Sequence, residues 1–117
     1  MIIKYGKVNK KVDKNIYKNY LAILREEMIP AMGCTEPIAL AYGAARAREI
    51  LGKEPERIVA KCSGNIIKNV RCVIIPNSGG LKGIPAGVIL GAVAGDASLN
   101  MEVLSKVDEK GRARCRE

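Results

Sequence analysis

Histidine, tryptophan and phenylalanine are all absent from this 117-residue chain, and its four tyrosines are its only aromatic residues. With no imidazole, catalysis of the Ser-His or Cys-His type is excluded, and any general base must be a thiolate, a carboxylate or a lysine. The four cysteines, Cys34, Cys62, Cys72 and Cys115, contain no C-x-x-C pair. With no such pair and no histidine to complete a set, a structural zinc site is not expected, and no metal ligand is assigned. No apolar run approaches the roughly 20 residues that cross a bilayer, and no charged leader with an apolar stretch opens the chain. The sequence therefore reads as cytoplasmic and without a membrane partner.

Acidic residues are also scarce, 12 against 20 Lys and Arg, for a net charge of +8. The excess is local, because residues 1–20 hold six Lys and one Asp. A basic arm over 1–12 is expected. It has no aromatic platform or base-reading motif beside it, so nucleic acid is not expected as a partner. The remainder reads as a single domain over 1–117, with a frayed tail over 107–117. Its core must be aliphatic, since hydrophobic residues make up 48% of the chain and aromatics 3%.

The periodicities predict an α+β fold, a small sheet covered by helices. After Asp13, a candidate N-cap, Ile16, Tyr20, Ile23, Leu24 and Met28 recur at three- and four-residue intervals and predict a helix near 14–29. A second is expected near 36–51, with Pro37 in its first turn, Gly52 just past its end, and Arg46, Arg48 and Glu49 along its wet side. "ERIVAKCS" alternates at period two and "VRCVIIP" is rich in β-branched residues, so strands are expected near 57–63 and 70–76. The geometry of "GNIIKN" between them stays open. "IPAGVILGAVAGD", apolar on nearly every side, predicts a buried helix near 83–95 whose glycines permit close packing. "SLNMEVLSK" suggests one more short helix.

Three groups carry candidate chemistry. Cys34 stands at a helix start, where free N–H groups and the helix dipole favour a thiolate, with Thr35 and Glu36 beside it. The alternative is an ordinary buried thiol. In "SGNIIKNV", Ser63, Asn65, Lys68 and Asn69 offer donors to a carboxylate, or form an ordinary turn. In "PNSGGLKG", Gly79, Gly80 and Gly83 suggest a backbone anion nest with Lys82 adding charge. Together they point to a small anionic ligand, an amino acid rather than a nucleotide.

"GCTEPIALAYGAARA", "SGNIIKNV", "IPNSGGLKGIPA" and "LGAVAGD", in that order across roughly 29–104, resemble the amino-terminal part of the L-cysteine desulfidase family, which is related to the iron–sulfur L-serine dehydratases. The resemblance implies β-elimination of L-cysteine to pyruvate, ammonia and sulfide. It also implies a [4Fe–4S] cluster in the full-length family, and Cys34 as the proton acceptor. Asn65, Lys68 and Asn69 become candidates for holding substrate. The family's cluster-ligating cysteines have no counterparts here, so no cofactor is expected in this chain alone. The expectation is an amino-terminal fragment, inactive alone, with a partner chain supplying the cluster and a homo-oligomeric assembly. The alternatives are a non-catalytic binding or assembly module and an L-serine dehydratase-type lyase.

Overall fold

The computed structural model describes residues 13–116, so the expected basic arm over 1–12 lies outside the described residues. Five α-helices follow one another: α1 (Lys14–Glu27), α2 (Thr35–Leu51), α3 (Gly64–Val70), α4 (Gly83–Ala94) and α5 (Glu109–Arg114), with a 3-10 turn over Ala97–Glu102 before the last. Helices α1, α2 and α4 stand where the periodicity predicted them. Asp13 caps α1 by accepting from the Asn15 and Ile16 amides, and Gly52 closes α2 at φ 71°.

The expected sheet is absent among the described residues, and the fold is helical rather than α+β. Residues 57–62 are extended but pair with nothing. The open segment "GNIIKN" is the start of α3: Ser63 Oγ accepts from the Ile66 amide and nucleates a helix that takes in Val70 and buries it fully. Past α3, what remains of the second expected strand is a single antiparallel bridge between Ile74 and Lys82, flanked by Ile75 N–H to Leu81 O at 2.9 Å. Period-two alternation identified extended backbone at 57–62, but a sheet also needs a neighbouring strand.

The core is aliphatic. Ile38, Ala41 and Ala45 of α2 meet Leu90 of α4, with Val70, Ile75, Val103, Leu104 and Val107 closing around them. Helices α2 and α4 run parallel, because Gly87, Gly91 and Gly95 face Pro37, Ala41 and Ala45 in the same order. At Gly91 the approach is closest: a Cβ there would lie 2.6 Å from the Ala41 Cα, so only glycine fits. Parallel packing in this register puts the starts of both helices at one end of the molecule.

Arg48 does not line a wet side. Its guanidinium donates to Ala92 O at 3.0 Å and to Gly95 O at 2.7 Å, setting a cation on the last carbonyls of α4. Within the expected tail, Glu109–Arg114 forms α5. Asp108 Oδ1 accepts from the Gly111 amide at 2.8 Å, and the buried Gly111 lets α5 sit against Ala94.

Candidate functional site at the start of α2

Cys34 is the N-cap of α2 and is exposed. Its backbone is extended, with φ −60° and ψ 131°, and its side chain makes no capping bond. Cys34 stands at the head of a 17-residue helix whose third residue, Pro37, has no amide N–H to offer. Gly33, at φ 89°, makes the turn into this position and packs against Pro76.

The next two residues form a polar cluster with α3. Thr35 donates its hydroxyl to Glu36 Oε2 at 3.3 Å, and Asn69 Nδ2 donates to Glu36 Oε1 at 3.0 Å. The Glu36 backbone amide, then the Asn69 amide, and more weakly the Thr35 hydroxyl, hold the Glu36 carboxyl below its usual value against a smaller opposing effect of burial. Glu36 is therefore a carboxylate at neutral pH, anchored at both oxygens.

Of the residues singled out from sequence, Cys34, Thr35, Glu36 and Asn69 come together here. Ser63 serves as the N-cap of α3, with its hydroxyl turned to that helix's own amide. The side chains of Asn65 and Lys68 are exposed and make no hydrogen bond among the described residues. Lys82 is the exposed N-cap residue of α4, without a side-chain capping bond.

The glycine loop before α4 is built for structure. Ser78 is fully buried and its Oγ accepts from the Leu81 amide at 2.9 Å. Asn77, at φ 54°, donates to the carbonyls of Leu104 (2.8 Å) and Val107 (2.9 Å) and accepts from Arg112 at 3.0 Å. Sequence reasoning passed over Asn77. Its place before Ser-Gly-Gly was the available signal, since asparagine tolerates the left-handed region better than other side chains.

The other thiols differ. Cys72 is exposed, while Cys62 and Cys115 are partly covered. Burial pushes the Cys115 thiol up from its usual value, with Arg116 opposing weakly. Among the described residues, no three His, Cys, Asp or Glu side chains come close enough to hold a metal ion. The residues present therefore do not fit an iron–sulfur cluster. No helix of the described residues is long and apolar enough to cross a membrane.

The fold and site define a helical domain with an exposed N-cap cysteine beside an anchored carboxylate. Its similarity lies with UPF0597 proteins: 57% identity over 93 residues with that of Finegoldia magna, 50% over 99 with that of Treponema denticola, and 55% over 91 with that of Desulfitobacterium hafniense. These matches cover 80%, 85% and 78% of this chain but 22%, 23% and 21% of those proteins, so the chain spans less than a quarter of the length of its curated relatives. No protein-family model matches the chain, and no solved structure does. The relatives correct the assignment drawn from the motifs: they point to UPF0597 proteins and not to the L-cysteine desulfidases or iron–sulfur serine dehydratases.

Proposed function

We propose that the stretch carries the proton-accepting part of a lyase site that acts on a small α-amino acid, L-cysteine being the reading that suits the chemistry best. The supporting observation is the Asn69–Glu36 hydrogen bond, which ties α3 to the first turn of α2 and groups Cys34, Thr35, Glu36 and Asn69 where α2 and α4 both begin. In β-elimination the Cys34 thiolate takes the Cα proton, the electron pair forms the Cα–Cβ double bond, and the Cβ–S bond breaks. The sulfur leaves as sulfide, and the enamine hydrolyses to pyruvate and ammonia. The partial positive charge at the α2 start favours a substrate carboxylate. Glu36, fixed by Asn69 and Thr35, repels a misplaced carboxylate and accepts from the substrate ammonium. The rest of the machinery belongs to the longer protein, and the isolated chain is expected not to turn over L-cysteine.

The test is substrate protection. S-Methyl-L-cysteine, which cannot consume the reagent through a free thiol, is expected to slow iodoacetamide labelling of Cys34 several-fold while leaving Cys72 unchanged. Equal labelling of Cys34 with and without the amino acid would overturn the reading.

A second reading, a binding or assembly module that forms homo-oligomers, is favoured by α1. None of its residues is buried, and Tyr17, Tyr20, Ile23 and Leu24 each remain at least half exposed. Sedimentation of the chain as a dimer that Ile23→Glu converts to a monomer would support this second reading.

A further inference from the structure

Between α2 and α3 the chain bends at Lys53 and Glu56 and then runs without a bend over 57–62, and none of the backbone N–H or C=O groups of residues 53–62 enters a hydrogen bond among the described residues. A segment this long rarely leaves its backbone unpaired while lying against protein. The segment is not in open solvent. It lies over the seam between α2 and α4, and cavities of about 290, 230 and 270 Å³ flank it, with Ile58 lining all three. Val59 is 65% exposed and Ile58 40%. On the α2 side the wall sets Ala39, Gly43 and Ala47 beside Leu40, and a Cβ on Gly43 would meet nothing within 4 Å. The helix pair thus has a smooth, uncovered face with one unpaired extended segment laid across it.

We propose that residues 57–62 are a docking edge for an acidic β-strand, supplied by the part of the polypeptide that the curated relatives carry beyond the matched stretch. The length is available there, since that stretch is less than a quarter of those proteins. Charge selects the occupant. Arg57, Val59 and Lys61 share one face of the extended segment, all exposed, so a paired strand with carboxylates at alternate positions complements it. A second copy of this chain suits it poorly. Two-fold antiparallel pairing places residues of equal parity opposite each other, and centring on Val59 sets Arg57 against Lys61 twice. Main-chain hydrogen bonds supply the affinity in such strand addition, and alternate side chains supply the choice of partner.

The experiment uses the ¹⁵N-labelled chain and three probes: a capped heptapeptide alternating Glu and Val, the same peptide N-methylated at every second residue, and a Lys–Val counterpart. The acidic peptide is expected to shift the amides of 57–62 saturably and slow their exchange with solvent. N-methylation or charge reversal should weaken binding by about tenfold or more, as should Val59→Pro in the chain. Tiled peptides from the remainder of the Finegoldia magna relative should include one acidic segment with the same footprint. No shift at millimolar peptide, equal binding of the Lys–Val peptide, indifference to N-methylation, or no binding tile would each overturn the proposal. So would sedimentation as a dimer with 57–62 protected, which would make a second copy the occupant. None of these readouts involves Cys34, so this proposal and the lyase reading fail separately.

Discussion

Helix α4, without a charged residue, and the extended segment 57–62, where Ile58, Val59 and Ala60 stand between Arg57 and Lys61, both carry branched apolar side chains but in opposite circumstances. Within α4, Leu90 is fully buried and Gly91 lies against the α2 backbone. Across the seam, Val59 is 65% exposed and Ile58 40%, and their backbone is unpaired among the described residues. Burial of a side chain depends on what the rest of the chain places opposite it, and for α4 that surface is α2, a neighbour in the same stretch. For 57–62 no such neighbour is present among the described residues.

Substitutions sharpen this contrast. Leu90→Ala empties part of a closed core and is expected to cost about 4 kcal/mol by urea denaturation, whereas Val59→Ala should stay within about 0.5 kcal/mol. Equal costs would erase the distinction between the two regions. Gly91→Ala forces α2 and α4 apart and should destabilise by about 3 kcal/mol. The same change at Gly43, where the added methyl meets open space and helix propensity improves, is expected to stabilise by about 1 kcal/mol. A loss of stability at Gly43 would show that this face of α2 is already covered. Arg48→Ala removes the cation from the α4 carbonyls and should lower stability by about 1–2 kcal/mol.

The smallest effect concerns pH. Because the Glu36 carboxyl is held below its usual value of 4.5, its contribution is complete above that value and lost as pH falls through the lower folded value. The thermal midpoint of the wild type should therefore drop slightly more than that of Glu36→Gln on acidification from neutrality to below the ordinary carboxylate range. Parallel curves would remove the Asn69 and backbone anchors from the account.

Helix positions were legible because they rest on local signals. Asp13 and Gly52 are chemically suited to their caps, and the spacing Ile16, Tyr20, Ile23, Leu24 follows a helix whether or not that face is covered. The sheet was misread because alternation at 57–62 describes backbone shape and says nothing about partners. The cap at Ser63 diverted Val70 into α3 by a single hydroxyl bond that hydrophobic pattern does not register. At the site, Cys34 as a helix-start residue was readable from Pro37, which suits a first turn. The Glu36–Asn69 bond joins residues 33 positions apart, and only the docking of α3 on α2 reveals it. Arg48 looked solvated because helical periodicity does not show where a long side chain ends.

Hydrogen exchange of the free chain, read residue by residue, tests the central contrast most directly. The account predicts that α4 amides around Leu90 exchange only through global unfolding, while those of residues 57–62 exchange at nearly the rate of an unstructured peptide. Strong protection at 57–62 in the monomer would contradict it, because it would mean that the extended segment already has its partner.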